Sequence, residues 1–262
     1  MKITIVGCGD AFGSGGRAHS CFRLDSPVAG AAIVDFGAGS ISAWKKLGFA
    51  FDDVGLVVIS HMHGDHFGGL PFLLLDCQYV ERRTRPLVIA GPPGLRARLA
   101  RAFEAFFPGP VDWSFPLEVR EVEAGAPVDL GGFAYQNFRV VHSPGSAPTG
   151  LRLSDGDSLF AFSGDTAWTD ALYDVAAGAD LFLCECYSGD KPVPNHLDWP
   201  TLRDRLPGFS ARRVALTHMS EGAFRRRAEM EQAGVVVAHD GQIFDLGARG
   251  RDGARQGLPA LS

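Results

Sequence analysis

Four side chains that can bind a metal ion fall within six consecutive residues, His61-Met62-His63-Gly64-Asp65-His66. Imidazole nitrogen and carboxylate oxygen are ligands that suit Zn²⁺, and also Mn²⁺ or Fe. An alternating His-x-His followed closely by Asp-His lets one turn of backbone direct two side chains at one ion and two at a neighbouring ion. The spacing therefore predicts a metal site rather than a histidine-rich surface loop.

The elements that must position this segment can also be predicted. An apolar run, Val54–Ser60, directly precedes it and predicts a buried strand. Three further candidate ligands follow other predicted strands: His142 after residues 138–141, Asp165 after 159–162, and His218 after 214–217. Loops at the ends of strands are common places for binding residues. The separate segments are therefore expected to meet at one site.

Together these motifs resemble the metallo-β-lactamase fold superfamily, specifically its ribonuclease Z-like and phosphodiesterase branch. The resemblance covers about residues 1–246 and is most specific in Ser60–His66, His142-Ser143, Ser163–Thr166 and Leu216–Ser220. It implies an α/β fold, a four-layer αββα sandwich with a dinuclear site at one edge. The implied ligands are His61, His63 and His142 for one metal, Asp65, His66 and His218 for the other, and Asp165 bridging both.

The resemblance also implies catalytic residues beside the metals. Glu185, in Cys184-Glu185-Cys186-Tyr187, matches a Glu in a strand, and His196, in Asn195-His196-Leu197-Asp198, matches a His that acts next to the metal pair. We expect His196 to serve as general acid, oriented by Glu185, with Asp65 as the third catalytic residue. A surface ion pair between Glu185 and His196 is the alternative interpretation.

One ligand has a competitor. His239, in Ala238-His239-Asp240-Gly241, could replace His218, because other branches of the superfamily place their final histidine near the C-terminus. The Thr-His-Met-Ser context of His218 favours it over His239.

The predicted chemistry is hydrolysis. Two divalent metal ions, Zn²⁺ before Mn²⁺ or Fe, would lie about 3.5–4 Å apart. They would lower the pKa of a shared water from ~15.7 toward neutrality, and the bridging hydroxide would be the nucleophile. The favoured substrate is a small or cyclic phosphodiester. Alternatives are a carboxylic ester, thioester, lactone or β-lactam at the same centre, and tRNA 3′-end processing. The tRNA function is disfavoured because only about two dozen residues separate His142 from Asp165, too few for a tRNA-binding arm.

Composition and net charge limit the class of protein, its compartment and its partners. The 262 residues are 46% hydrophobic and 21% charged, as is typical of globular proteins. Neither a membrane-spanning run nor an export signal is visible, which predicts a cytoplasmic protein without a membrane partner. Five scattered cysteines indicate reduced thiols. The net charge of −5 argues against extended nucleic acid but is compatible with a small anionic substrate. The sequence does not decide between a monomer and a homodimer.

The chain is predicted to form one metallo-β-lactamase-like hydrolase domain over residues 1–247, followed by a flexible C-terminal tail, 248–262. Helices are expected at Leu70–Arg83 and Glu221–Ala233, and a closing hairpin at Val235–Ala238 and Gln242–Leu246 with its turn at Asp240-Gly241. The glycine-rich segment Gly7–Gly16 is interpreted as a tight loop near the metal edge, since its spacing does not fit a dinucleotide-binding loop. Arg82-Arg83 and Arg225-Arg226-Arg227 are interpreted as solvated helix faces, the second of which could attract an anion.

Overall fold

The computed structural model describes residues 1–247, which form two seven-stranded sheets. The strands are β1 (Lys2–Gly7), β2 (Cys21–Ser26), β3 (Gly30–Val34), β4 (Val54–Val58), β5 (Leu87–Gly91), β6 (Leu117–Glu121), β7 (Val128–Leu130), β8 (Phe133–Arg139), β9 (Thr149–Ser154), β10 (Leu159–Phe162), β11 (Leu181–Glu185), β12 (Val214–Thr217), β13 (Val236–Val237) and β14 (Ile243–Asp245). The helices are α1 (Ser40–Lys46), α2 (Gly64–Phe67), α3 (Leu70–Leu75), α4 (Leu95–Phe106), α5 (Ala171–Ala176), α6 (Trp199–Arg205), α7 (Glu221–Phe224) and α8 (Arg227–Gln232). The predicted tail, 248–262, lies outside the described residues.

Each sheet is mixed, and the two are built alike. The first has the order β14-β1-β2-β3-β4-β5-β6, and the second has the order β13-β12-β11-β10-β9-β8-β7. Pairing is parallel from β3 to β6 and from β10 to β13, and antiparallel elsewhere. The carboxyl ends of parallel strands therefore collect along one edge of each sheet.

Three hydrophobic layers hold these elements together. Residues of β11 show the arrangement, because successive side chains of a strand point to opposite faces. Leu181 and Leu183 pack in the layer between the sheets, whereas Phe182 and Cys184 pack in the layer under the helices of the second sheet. A third layer, which includes Trp44 and Leu99, joins the first sheet to its own helices. The result is the four-layer αββα sandwich expected from the sequence, and that prediction is confirmed.

Two predicted helices and the predicted hairpin differ in the structure. The segment 70–83 is α3 followed by a π-helix at Asp76–Val80, and the segment 221–233 is divided into α7 and α8. The hairpin prediction is wrong: β13 pairs in parallel with β12 of the second sheet, whereas β14 pairs antiparallel with β1 of the first. Asp240-Gly241 therefore connects the two sheets instead of turning within one.

The prediction that both residues of Arg82-Arg83 are solvated is also wrong for Arg83, which is 1% exposed. Its guanidinium donates to the carbonyl oxygens of Phe51, Val54 and Pro86 at 2.6–2.7 Å. No helix among residues 1–247 is long and apolar enough to cross a membrane.

The loop between β3 and α1 packs against the predicted ligand segment through its backbone. Phe36 N donates to His66 O at 2.6 Å, and Gly69 N donates to Phe36 O at 2.9 Å. A Cβ at Gly37 would lie 2.1 Å from the carbonyl oxygen of Asp65. Only glycine allows the two segments to approach this closely.

We therefore expect Gly37→Ala to destabilise the fold by about 2 kcal/mol or more, because a backbone atom has to move. Gly55→Ala is the matched control, since a Cβ at Gly55 would meet nothing within 4 Å. Its effect should stay within about 0.5 kcal/mol. Denaturant unfolding of both variants measures the difference, and equal midpoints would contradict the close approach.

Candidate metal centre

The local structure of the ligand segment explains its spacing. After β4 the chain bends at Ser60 and again at His63, whose φ and ψ are −81° and 154°, and α2 begins at Gly64. The rings of His61 and His63 lie 4.9 Å apart, centroid to centroid. Asp65 and His66 lie in the first turn of α2, which directs them differently. One short segment can therefore serve two neighbouring positions, as the spacing predicted.

The other three candidate ligands follow the carboxyl ends of strands in the second sheet. His142 follows β8, Asp165 follows β10 and His218 follows β12. Asp165 is reached through Gly164, where φ is +60° and a Cβ would lie 2.4 Å from the carbonyl oxygen of Thr149. His218 itself has φ of +56°, the left-handed region that non-glycine residues rarely adopt.

The structure brings all seven predicted ligands together in two groups that share Asp165. The groups are His61, His63, His142 and Asp165, and Asp65, His66, Asp165 and His218, and within each group the ligand atoms lie within 4.8 Å of one another. Asp165 Oδ1 lies 3.2 Å from His66 Nε2, and Asp165 Oδ2 lies 3.3 Å from His218 Nε2. His142 Nε2 lies 3.0 Å from His63 Nδ1. That these atoms bind metal stays a prediction.

The donor atoms fit divalent cations by a second test. His61 Nε2 is buried and has no hydrogen-bond partner among residues 1–247, while His66 Nε2 and Asp165 Oδ1, also buried, lie 3.2 Å apart without the geometry of a hydrogen bond. Buried polar atoms without partners are rare in native proteins. Zn–N and Zn–O bonds of about 2.0–2.1 Å in a tetrahedron would separate the ligand atoms by roughly 3.3 Å. The shortest distances within the two groups, 3.0–3.3 Å, are of this size, and all ligand atoms of a group lie within 4.8 Å of one another.

Burial and the neighbouring charges set the protonation of these ligands. Burial lowers the pKa of His61 and of His142, so both are held as the neutral imidazole that binds metals. Burial also acts to lower the pKa of His66, but Asp165, Asp65 and Asp35 together raise it above its usual value. Burial opposes ionisation of Asp165, yet His218 and His66 lower its pKa. The carboxylates of this cluster thus draw positive charge toward it.

A residue that the sequence analysis did not single out orients one ligand. Asp35 is fully buried at the end of β3, with φ of +56°. Its carboxylate lies 2.6 Å from His66 Nδ1 and accepts from the backbone N–H and the hydroxyl of Ser60, both at 2.7 Å. A carboxylate on Nδ1 leaves Nε2 free to face a metal ion. Its place directly after an apolar strand was the available signal, and it became informative only once β3 was known to neighbour β4.

The two residues predicted to act beside the metals, Glu185 and His196, also lie at this site. Glu185, the last residue of β11, is fully buried, and its Oε2 lies 3.2 Å from Nδ1 of His196. The His196 ring lies 4.8 Å from that of His142 and 5.7 Å from that of His218, centroid to centroid. His196 is partly exposed, with 19% of its side chain accessible, whereas Glu185 is not exposed at all. The pair is therefore not a surface ion pair.

His239 lies apart from both groups. It is exposed, its Nδ1 lies 3.2 Å from the Asp240 carbonyl oxygen, and it belongs to none of the metal-binding clusters found among residues 1–247. The choice of His218 over His239 agrees with this placement.

The glycine-rich loop does lie near this edge. Gly9 forms an isolated bridge with Met219, and Cys8 O accepts from the His218 N–H at 3.0 Å. A Cβ at Gly7 would lie 2.1 Å from the His19 carbonyl oxygen, so a larger residue would displace the loop that holds His218. The segment thus supports the last candidate ligand.

Asp35→Asn tests the orienting role. The Asn amide would donate to His66 Nδ1, which places the imidazole proton on Nε2, the atom that should bind metal. We expect zinc affinity to fall about 10–100-fold with little loss of helical signal. Competition with a chromophoric chelator measures the affinity. Asp157→Asn, on an exposed turn, is the control, and an equal affinity in both variants would contradict the role.

Metal addition tests the cluster itself. Zinc at 100 times its Kd should stabilise the fold by about 2.7 kcal/mol, or roughly 5–10 °C in Tm. Asp165→Asn should lose most of this shift, because Asp165 belongs to both groups. His239→Ala should retain it. Differential scanning calorimetry with and without chelator gives the shifts, and a zinc-independent Tm of the unaltered chain would contradict the metal centre.

Comparisons with known proteins agree with this architecture. A family model described as anti-Pycsar protein Apyc1 matches residues 1–244. An uncharacterised protein of Mycobacterium leprae is 32% identical over 263 residues, covering 95% of this chain and 89% of that protein. The metallo-β-lactamase fold protein YhfI from Bacillus subtilis has a TM-score of 0.76 at 21% identity, covering 93% of this chain and 98% of that one. The short form of human tRNase Z has a TM-score of 0.75 at 23% identity, covering 94% of this chain and 100% of that one.

The two structures, both below 25% identity, bear on the fold alone, and they confirm the metallo-β-lactamase fold that the sequence resemblance implied. The family match extends over nearly all of the described residues. This chain belongs to the anti-Pycsar protein Apyc1 family and has the metallo-β-lactamase fold.

Proposed function

We propose that this protein is a dinuclear metal-dependent phosphodiesterase that hydrolyses a small or cyclic phosphodiester. His61, His63 and His142 would hold one metal, Asp65, His66 and His218 the other, and Asp165 would contribute to both. When bound, the two cations, with Zn²⁺ favoured over Mn²⁺ or Fe, would activate water and neutralise charge on the phosphoester oxygens. Asp35 would keep His66 in the tautomer that presents Nε2.

The observation that carries the phosphodiesterase assignment is the Glu185–His196 pair beside the ligand cluster. An alkoxide leaving group needs a proton, and a positioned general acid is worth about 10²–10⁴ in rate. Glu185 is held by the backbone N–H of Thr166 and by that of Leu197 at 3.3 Å. Its Oε2 lies 3.2 Å from His196 Nδ1. Nε2 of His196 has no hydrogen-bond partner among residues 1–247 and is the atom available to a substrate.

The protonation of this pair supports an acid role. Burial raises the pKa of Glu185, and the nearby Asp165 raises it further. Burial lowers the pKa of His196. Both directions favour the uncharged groups, with the Glu185 proton on Oε2 facing Nδ1 and the imidazole proton on Nε2. As Nε2 gives its proton to the leaving oxygen, Nδ1 can take the proton of Glu185, so the imidazole stays neutral and the negative charge of the leaving oxygen ends on the Glu185 carboxylate, which the backbone N–H groups of Thr166 and Leu197 bind.

Charge and topology support a small substrate. The chain carries a net charge of −5, which does not favour extended nucleic acid. The segment between His142 and Asp165 forms β9, β10 and short connections, so it does not contribute an arm of the kind expected for tRNA binding. Human tRNase Z, which shares the fold, is by its name a tRNA-processing enzyme. The shared fold is compatible with phosphodiester chemistry here, with a smaller substrate.

His196→Ala separates this function from carboxyl ester hydrolysis. Turnover of a cyclic nucleotide should fall about 10²–10³-fold, because its alkoxide leaves poorly without a proton. Turnover of a p-nitrophenyl carboxylic ester should fall less than about 5-fold, since p-nitrophenolate needs no acid. His239→Ala, which alters an exposed histidine outside the cluster, should leave both rates unchanged. Equal losses on the two substrates would remove the phosphodiesterase-specific role.

The wider substrate question needs one panel on metal-analysed protein. The panel contains bis-p-nitrophenyl phosphate, cyclic nucleotides, a thioester and a lactone. We expect turnover of the phosphodiesters at two metal ions per chain. Turnover confined to the thioester or lactone would replace the proposed function with the carboxyl ester alternative.

A further inference from the structure

A closed loop, residues 188–198, carries His196 and lies over the candidate metal centre. Its two ends are bound to each other: Ser188 N donates to Leu197 O at 3.2 Å, and Trp199 N donates to Ser188 O at 2.8 Å. Most of the side chains between these ends are partly or fully exposed. The loop therefore has little hydrophobic packing of its own, and polar contacts have to fix its shape.

One turn of this loop serves two functional positions. His196 N donates to Val193 O at 3.2 Å, with Pro194 and then Asn195, whose φ is +66°, between them. Proline followed by a residue with positive φ is the signature of a type II turn. The carbonyl oxygen of Asn195 lies 2.7 Å from His142 Nδ1. The same turn thus orients the candidate ligand His142 and places the candidate acid His196.

The far side of the loop is bound by a single arginine. Arg226 Nη1 donates to Gly189 O and lies 2.9 Å from Asp190 Oδ1. A Cβ at Gly189 would lie 3.1 Å from Arg226 Cδ and 3.0 Å from Gly222 O, so the loop backbone packs directly on this region.

Arg226 is in turn fixed from the other side. Its Nε donates to Glu229 Oε2 at 2.9 Å, and Glu229 Oε1 accepts from Trp199 Nε1 at 2.7 Å. Trp199 is fully buried at the start of α6, immediately after the loop. Arg226 therefore ties the first residues of the loop to the residue that follows its last. Arg225 and Arg227 are exposed, as the interpretation of Arg225-Arg226-Arg227 as a solvated face expects, whereas Arg226 is partly exposed, with 31% of its side chain accessible, and its guanidinium is bound on both sides.

We propose that Arg226 is a positioning residue for the reaction: it holds the 188–198 loop so that the Asn195 carbonyl meets His142 and the His196 ring meets Glu185. The inference rests on the proposed function for its kinetic consequence, but not for its structural one. Without the guanidinium, Gly189 O and Asp190 lose their donor, and the loop can move away from α7. A displacement of about 1 Å at a catalytic group can reduce turnover about 10²-fold.

The test compares Arg226→Ala with Arg225→Ala in the zinc-loaded full-length chain. Arg225 is the matched control because it is the adjacent arginine and because, within residues 1–247, its side chain contacts only Glu221, at 3.6 Å on the exposed face. Hydrogen exchange of the 188–198 backbone should be roughly tenfold faster in Arg226→Ala and unchanged in Arg225→Ala. Arg226→Lys should fall between them, because a single ammonium cannot bind the loop and Glu229 in the same fork geometry.

Kinetics on a cyclic nucleotide then test whether the loop acts through His196. Arg226→Ala should lower kcat roughly 10–100-fold in the unaltered chain but less than about 3-fold in a His196→Ala background, because residues that act through one group are not additive. Zinc affinity should fall with Arg226→Ala as well, through the contact to His142.

The proposed function and the role of Arg226 can fail independently, and the experiments tell the two failures apart. If the unaltered chain hydrolyses no phosphodiester, the proposed function fails, while the exchange experiment still decides whether Arg226 holds the loop. If Arg226→Ala and Arg225→Ala give the same exchange in residues 188–198 and the same zinc affinity, Arg226 does not position the loop and the inference is overturned.

Discussion

Four buried carboxylates at the edge of the two sheets set the main electrostatic constraint on the candidate centre. Asp35, Asp65, Asp165 and Glu185 are 0%, 7%, 1% and 0% exposed. An ionised carboxylate buried without compensation costs several kcal/mol. Each of the four lies against an imidazole, and against the effect of burial the carboxylates raise the pKa of His66 and of His218, which thereby supply part of the compensating positive charge. Cations held by Asp65 and Asp165 would balance the negative charge that remains, which is why buried carboxylates at this position favour metal binding.

The parallel direction of neighbouring strands brings these groups together. β3 and β4 run parallel in the first sheet, and β10, β11 and β12 run parallel in the second. Asp35 and His61 follow two of these strands, and Asp165 and His218 follow two others. Because the carboxyl ends of parallel strands share an edge, residues far apart in sequence meet where the two edges face each other. Glycine allows two close backbone approaches near this site: Gly37 packs on the carbonyl oxygen of Asp65, and Gly164 packs on that of Thr149.

The sequence predicted which candidate ligands lie together better than it predicted the residues that support them, for a physical reason. His61 to His66 are contiguous, so their chemistry is visible without knowledge of the fold. Asp35 is a single acidic residue whose partner comes from another strand, and its role depends on the pairing of β3 with β4. Arg83 was misjudged because its partners are backbone carbonyls, which sequence does not display. The hairpin prediction was wrong because Asp240-Gly241 indicates a turn but does not indicate which sheet each flanking strand joins.

Backbone strain indicates how firmly the site is held. Five non-glycine residues among 1–247 have positive φ, and three of them, Asp35, Asn195 and His218, act in or beside the candidate centre. Such conformations cost of order 1–3 kcal/mol each and persist only where surrounding contacts fix them. Ser60 and His66 hold Asp35, Cys8 O holds the amide of His218, and His142 holds the carbonyl of Asn195. Because His66, His142 and His218 are themselves candidate ligands, ligand geometry and backbone geometry are determined together at these three contacts, and a change at one of them should alter both.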